Sequence, residues 1–272
     1  MPVVYLPHGG GPWPFMQDSV LANARMYAKL TEYLEVLPNV APTAPEAILV
    51  ISAHWEEREP TVMSAPNPTM LYDYSGFPPE TYEIVWPAPG CPELALAIIE
   101  LLEDAGIGCT ADAKRGFDHG AFVPLKVAYP EPFIPTLQLS LRRDLDPRAH
   151  FEMGHALAPL RERGVFMIGS GMSYHNMQQL MGSMRRGPNA GEVIENSVAF
   201  DEWLCETAML EPSARRARLL DWEKAPGARL AHPREEHLLP LHVIAGAAED
   251  DLATLAYRDV ILGAQVSAIH FG

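Results

Sequence analysis

A-I-L-V-I-S-A-H-W, residues 47–55, is the stretch that decides the fold class. It opens with five consecutive apolar residues and no alternating polar ones, a pattern typical of a strand buried on both faces of a parallel sheet. In open α/β sheets, ligands bind at the carboxyl ends of the strands. His54, at the end of this predicted strand, is therefore a candidate site residue.

The composition of the 272 residues restricts the class of protein. With 35 acidic and 20 basic residues, the formal net charge is −15, which argues against nucleic acid and anionic membrane surfaces as partners. The three cysteines are far apart, so neither a disulfide framework nor a thiolate metal site is predicted. The first residues lack a signal-peptide pattern, and no apolar run reaches the length of a membrane span. We therefore expect a cytoplasmic protein.

The remaining patterns predict one α/β domain over residues 1–272, with a central, largely parallel or mixed β-sheet flanked by helices on both faces. Strand patterns recur at residues 3–6, 61–64, 134–141, 165–168 and 265–271. Helical patterns cover residues 18–37, 92–105, 148–163 and 191–210. A further helix is expected to begin close to Leu238, because Pro240 is tolerated only near a helix start. Residues 71–89, rich in aromatic residues, Gly and Pro, predict a long ordered loop.

Half of the ten histidines share one setting, which is a loop or the end of a predicted element. These five are His8, His54, His119, His175 and His237. Because several strand ends of one parallel sheet converge on a single crevice, a mononuclear site with nitrogen ligands is the simplest account. The candidate ions are zinc and non-haem iron(II). By contrast, His150 and His155 are predicted to lie at the surface or rim of a helix, and His242 to be packed or at the surface.

Other interpretations of the glycine-rich segment after His8 have little support. Neither of the common phosphate-loop patterns, G-x-G-x-x-G and G-x-x-x-x-G-K-[ST], occurs in the sequence. An oxyanion loop of the lipase type needs a G-x-S-x-G nucleophile elbow, and this is also absent.

A set of landmarks resembles a known family. They are Pro7-His8-Gly9, Ser52-Ala53-His54-Trp55, Phe117-Asp118-His119-Gly120, Ser170 with His175-Asn176, and Glu236-His237 with Leu239-Pro240-Leu241. In order and spacing they resemble the LigB-type class III extradiol ring-cleavage dioxygenases, and most of all the DOPA 4,5-dioxygenase-like branch. The landmarks span residues 8–241, which is nearly the whole chain.

The resemblance implies roles for individual residues. A divalent metal ion would be held by His8, His54 and His237, with His175 as acid/base or as an extra ligand and His119 in contact with substrate or oxygen. Glu236 is the alternative third ligand, because other class III enzymes use a glutamate. Adjacent residues of a helix point about 100° apart, so we expect only one of the two to bind the metal. The candidate substrate-binding residues are Tyr72, Tyr82 and Ser170.

The expected function is therefore a metal-dependent extradiol dioxygenase that inserts both atoms of O2 into a small aromatic diol of the catechol type. Fe(II) is expected for activity, with Zn(II) as an ion that the isolated protein also binds. The glycine turn that starts at Gly9 is longer than is usual in this branch, which leaves the identity of the catechol open. A zinc-dependent hydrolase using the same histidines and a non-catalytic metal-binding relative are the alternatives. No repeat or heptad pattern bears on whether the chain forms a homo-oligomer.

Overall fold

A computed structural model describes residues 1–16, 26–186 and 194–272. Eight strands form one mixed sheet in the order β4-β3-β5-β2-β6-β1-β8-β7. The strands are β1 (Val3–Pro7), β2 (Ala47–Glu57), β3 (Thr61–Met63), β4 (Thr110–Asp112), β5 (Thr136–Arg142), β6 (Val165–Gly171), β7 (Ala253–Ile261) and β8 (Ala264–Phe271). The α-helices in the described ranges are α1 (Ala28–Val36), α2 (Pro92–Asp104), α3 (His119–Ala128), α4 (Pro147–Leu157), α5 (Met177–Arg186), α6 (Glu195–Ala208), α7 (Pro212–Leu220), α8 (Ala228–Ala231) and α9 (Leu239–Ala247).

The centre of the sheet is parallel. Strand β2 pairs in parallel with β5 on one side and β6 on the other, and β6 pairs in parallel with β1. Antiparallel pairs occur toward the edges, between β1 and β8, β7 and β8, and β3 and β5. The first seven residues of β2 are all buried, as the unalternated apolar run predicts. The carboxyl ends of β1, β2 and β6 consequently meet at one edge of the sheet.

Strand β2 is longer than the sequence indicates. Its pairing with β6 stops at Ser52, but the strand continues to Glu57 after a register shift against β5 between Ile51 and Glu56. The sequence predicts a loop from Glu56 onward, but Glu56 and Glu57 belong to the strand, so this part of the prediction is wrong. His54 lies inside the strand, beyond the point where β6 stops pairing.

Helices flank the sheet, and α9 is the one that bears most directly on the histidines. Every residue of α9 is buried, and Pro240 lies in its first turn, which confirms the predicted helix start. Helix α4 packs against α9. None of the helices that the structure describes is long and apolar enough to cross a membrane.

Several element predictions need correction. The helix predicted from residue 18 begins at Ala28, and residues 17–25 lie outside the described ranges, as do residues 187–193 at the start of the helix predicted from residue 191. Strands β4 and β7 had no counterpart in the sequence prediction; both are edge strands with several exposed residues, so they lack the apolar run of a buried strand. His150, predicted at the surface or rim, is fully buried, and both its ring nitrogens are satisfied there by backbone groups, the N–H of Arg142 at the end of β5 and the carbonyl of Asp146 before α4.

Candidate metal centre

Five imidazoles converge at the carboxyl edge of the parallel strands. His8 follows β1, His54 lies in β2, His119 is the first residue of α3, His175 follows β6, and His237 precedes α9. The ring centroids of His8, His54 and His237 are 4.8–5.2 Å apart, as measured over the three pairs. The expectation that several strand ends bring histidines into one crevice therefore matches the geometry.

The prediction that His119 lies in a loop is wrong. Asp118 is the N-cap of α3, and its Oδ1 accepts a hydrogen bond from the backbone N–H of Ala121 at 3.2 Å. His119 is thus held at the first helical position. The cap could have been recognised from an Asp that precedes the apolar run of α3.

The Nε2 atoms of His8 and His54 face each other, and the ring of His237 lies beside both. The Nε2 atoms of His8 and His54 are 3.2 Å apart, and Nε2 of His237 is buried without any hydrogen-bond partner. The ligand atoms of the three residues all lie within 4.8 Å of one another. A buried imidazole nitrogen without a partner is costly, and a divalent metal ion would satisfy it. These three residues therefore fit a metal ion.

The protonation state of the three imidazoles suits metal binding. Burial lowers the pKa of His8, His54 and His237 well below the ordinary value. The charges of neighbouring histidines lower each pKa further, while Asp73 opposes the effect at His54. At neutral pH the rings are neutral, and this is the form of histidine that coordinates metals.

His175 lies against the His237 side of the cluster. Its ring is stacked on that of His237, with centroids 3.3 Å apart and 18° between the planes. Its Nδ1 lies 3.2 Å from Oε1 of Glu236, and the same oxygen lies 2.9 Å from Nδ1 of His237. The other carboxylate oxygen of Glu236 is buried without a hydrogen bond, and Nη1 of Arg234 is 3.5 Å from it.

His119 lies against the His54 side of the cluster, and Asp73 holds it there. The ring centroids of His119 and His54 are 4.0 Å apart. Oδ1 of Asp73 accepts from the backbone N–H of His119 at 2.9 Å and lies 2.8 Å from its Nδ1, while Oδ2 lies 3.5 Å from Nδ1 of His54. Burial alone would raise the pKa of Asp73, but the hydrogen bond and charge of His119, with His54, lower this pKa to about 2. Asp73 is therefore an anion.

Sequence reasoning missed Asp73. It lies in the aromatic-rich loop of residues 71–89, which has no regular element around it except a short 3-10 helix at Pro79–Glu83. The one available signal was an acidic residue between the two tyrosines of L-Y-D-Y, in a loop already expected to be ordered.

The backbone at His237 is tied to the end of the sheet. Its carbonyl oxygen accepts from the hydroxyl of Tyr5 at 2.8 Å and from the N–H of Met172 at 3.2 Å. Gly171 permits this approach, because a Cβ at that position would lie 2.2 Å from the same carbonyl oxygen. Strands β1 and β6 thus fix the position of one candidate ligand.

A buried polar network supports the end of β2. Asp118 accepts from Oγ of Ser52 at 2.8 Å, from Nε2 of Gln138 at 2.7 Å and from Nη2 of Arg115 at 2.9 Å. Nη2 of Arg115 also donates to the carbonyl of His54 at 3.2 Å. The segment that carries His54 is therefore held by side chains from β5 and from the start of α3.

The predicted substrate-binding residues differ in their surroundings. The rings of Tyr72 and Tyr82 belong to an aromatic group with centroids 6.1 Å apart, and the hydroxyl of Tyr72 donates to the carbonyl of Ile84. Tyr74, which the sequence analysis did not single out, has its ring centroid 5.8 Å from that of His119. Ser170 is fully buried and its hydroxyl donates to the carbonyl of Gly120, so its direct contacts are with the protein.

Comparison with known proteins identifies the class. Residues 4–266 match the family described as the catalytic LigB subunit of aromatic ring-opening dioxygenases. The chain belongs to this LigB family, in the branch that resembles the 4,5-DOPA extradiol dioxygenases. Family membership supports dioxygenase, and therefore oxidoreductase, activity.

Individual relatives cover most of the chain. It is 45% identical over 208 residues to a 4,5-DOPA dioxygenase extradiol of Beta vulgaris, covering 76% of this chain and 75% of the relative. It is 36% identical over 284 residues to the dioxygenase tasH of Hapsidospora irregularis, covering 100% and 85%. The crystal structure of an uncharacterized protein from Escherichia coli K12 superposes with a TM-score of 0.79 at 29% identity, covering both chains fully. These likenesses confirm the predicted family and the single α/β domain architecture.

Proposed function

We propose that the protein is an extradiol dioxygenase that inserts both atoms of O2 into a catechol-type substrate with ring opening, with Fe(II) as its active ion. The observation that carries the proposal is the cluster of three neutral imidazoles, the buried rings of His8 and His237 and the partly buried ring of His54, including an Nε2 with no protein partner. The relatives named as extradiol dioxygenases support the reaction class. Zn(II) would also fit nitrogen ligands of this kind in the isolated protein.

In this proposal His8, His54 and His237 hold the ion through Nε2. When bound, iron(II) supplies open coordination positions for the diol and O2 and the electron transfer that joins them. The Nδ1 atoms of two of these rings are already occupied: that of His8 lies 2.8 Å from the carbonyl oxygen of Gly9, and that of His237 lies 2.9 Å from Oε1 of Glu236. We therefore propose His237, rather than Glu236, as the third ligand.

His175 is the proposed acid/base. Its Nδ1 faces the Glu236 carboxylate, which accepts a proton in a hydrogen bond but does not donate one when ionised, so Nε2 is left with a lone pair. The side chain is 20% exposed, as is that of His54 at 21%, whereas the rings of His8 and His237 are buried, so a substrate can reach His175 from the open side of the cluster. We assign to Nε2 of His175 the removal of a proton from a catechol hydroxyl and its later return to the opened product.

His119 is proposed to contact the substrate or oxygen through Nε2, because Asp73 occupies its Nδ1. The rings of Tyr72, Tyr74 and Tyr82 would form an apolar wall for the aromatic substrate beside it. Tyr72 would contribute through its ring, since its hydroxyl is bonded to the backbone. Ser170 would act indirectly: its hydroxyl donates to the carbonyl of Gly120, the residue after His119, and so helps to hold His119 in place.

The test is oxygen uptake by protein that is stripped of metal and reloaded anaerobically with Fe(II). A catechol panel including DOPA, protocatechuate and gallate derivatives is offered, with zinc-loaded protein alongside. We expect iron-dependent uptake and a new visible-absorbing product, absent in His54→Ala and strongly reduced in His175→Ala. His155→Ala, which changes an exposed histidine of α4, is the matched control and should behave as the parent protein.

Stoichiometric iron binding without uptake on any catechol would overturn the oxygenase assignment. Hydrolytic activity of the zinc-loaded protein would then favour a zinc-dependent hydrolase, and its absence a non-catalytic metal-binding relative.

A further inference from the structure

Two carboxylates each bridge two imidazoles around the centre. Glu236 places one oxygen 2.9 Å from Nδ1 of His237 and 3.2 Å from Nδ1 of His175. Asp73 lies 2.8 Å from Nδ1 of His119 and, through its other oxygen, 3.5 Å from Nδ1 of His54. Each carboxylate therefore joins one proposed metal ligand to one proposed histidine of the substrate side.

We propose that Asp73 and Glu236 are positioning residues that fix the tautomers of three imidazoles, those of His237, His175 and His119, with Nδ1 protonated and the Nε2 lone pair available to the reaction centre. This inference rests on the proposed metal centre and deepens it. Neither carboxylate coordinates the ion; each acts through the rings that it orients.

The physical reason is that an ionised carboxylate only accepts hydrogen bonds. A neutral imidazole has a single N–H, and when that N–H points at a carboxylate the opposite nitrogen must carry the lone pair. His237 Nε2 is buried and has no protein partner, which is the state expected of a nitrogen prepared for a metal ion. The same tautomer at His175 and His119 leaves their Nε2 atoms able to accept a substrate proton or hydrogen bond.

His8 provides an internal comparison. Its Nδ1 lies 2.8 Å from the backbone carbonyl of Gly9, so its tautomer is set by the main chain. Removing either carboxylate should therefore leave His8 unchanged. The two carboxylates should also differ in their effect on metal binding, because Glu236 lies 2.9 Å from its ligand ring whereas Asp73 lies 3.5 Å from His54.

The test uses the full chain, without metal, labelled with 15N. Long-range proton–nitrogen correlation spectra report the tautomer of each histidine, and competition titrations with Zn(II) and Co(II) measure metal affinity. We expect Nδ1–H tautomers at His237, His175 and His119. Glu236→Ala should remove this preference at His237 and His175 alone and weaken metal binding by about 10- to 100-fold. Asp73→Ala should remove it at His119 and weaken metal binding less.

Conservative and neighbouring variants separate positioning from folding. Glu236→Gln and Asp73→Asn keep the size of the side chain and one acceptor oxygen, so they should recover part of the tautomer preference and part of the affinity. Glu235→Ala is the matched control for Glu236, because the Glu235 carboxylate pairs with Arg229. It should bind metal as the parent protein does.

The outcomes distinguish this inference from the proposed function. If the parent protein binds neither Zn(II) nor Co(II), the metal centre itself is refuted. If the parent binds metal and all carboxylate variants keep its tautomers and affinity, only the positioning role fails. If Glu236→Ala abolishes binding as completely as His237→Ala and changes the Co(II) absorption spectrum, Glu236 is a ligand, which also overturns the inference.

Discussion

Replacing Gly171 by alanine should disturb the metal centre without removing any ligand. A Cβ at this position would lie 2.2 Å from the carbonyl oxygen of His237 and 3.2 Å from the ring of Tyr5. The carbonyl must retreat by roughly 1 Å to restore an ordinary carbon–oxygen contact. This movement weakens the hydrogen bonds that the carbonyl accepts from Tyr5 and Met172.

The expected cost follows from these contacts. Overpacking at a buried position, together with two weakened hydrogen bonds, should lower the free energy of unfolding by about 2–4 kcal/mol. Displacement of His237 should lower the affinity for Zn(II) by about 10- to 100-fold, as loss of a supporting contact does at other metal sites. Urea denaturation of the metal-free protein measures the first effect, and competition titration with a chelator measures the second.

Gly182→Ala is the matched control. Gly182 lies within α5, and a Cβ there meets no atom within 4 Å. Alanine has the higher helix propensity, so this variant should be as stable as the parent protein or slightly more stable, with unchanged metal affinity. If Gly171→Ala matches the parent protein in both measurements, the inferred support of His237 by the end of β6 is incorrect.

Three further predictions concern stability. Burial lowers the pKa of His150 from 6.5 to about 4, and its Nε2 accepts from the N–H of Arg142, so protonation favours the unfolded chain. The contribution of His150 to the free energy of unfolding should be complete above about pH 6.5 and fall by about 2 kcal/mol from about pH 7 to about pH 5, in addition to the contributions of the other buried histidines. His150→Gln should therefore reduce the pH slope of stability, and an unchanged slope would contradict the reasoning. Asp118→Ala leaves the side-chain donors of Ser52, Arg115 and Gln138 without their acceptor in the interior. Urea denaturation should therefore show a free energy of unfolding lower by about 3–5 kcal/mol, and a decrease under about 1 kcal/mol would contradict the inferred network. Zn(II) at about 100 times its dissociation constant should raise the free energy of unfolding by about 2.7 kcal/mol, reversibly with a chelator, whereas His237→Ala should show no such gain in a thermal melt.

Much of the candidate site could be predicted from residues that follow buried strands. The apolar runs of β1, β2 and β6 fix these strands locally, because a segment that can be buried on both faces has few other places in an α/β fold. The placement of Pro240 indicated that a helix begins just after His237. The ordered landmarks around the five histidines then pointed to the LigB family, which the comparison confirms.

The rest depends on contacts between distant parts of the chain. The continuation of β2 past His54 depends on its shifted pairing with β5, and the burial of His150 depends on backbone partners that its sequence neighbours do not reveal. Asp73 reaches His119 across 46 positions in sequence. Glu236 adjoins His237 in sequence, but only the folded chain brings its carboxylate to His175 as well.

The sequence by itself therefore determined the fold class, the family and which imidazoles converge, because these follow from local hydrophobic patterns and from the order of the motifs. Only the tertiary structure showed that Asp73 lies against His119 and that Glu236 lies against both His175 and His237. The physical reason is that a side chain and its hydrogen-bond partner need not be close in sequence: Gly9 and Glu236 adjoin His8 and His237, but the partners of His119 and His175 come from distant parts of the chain.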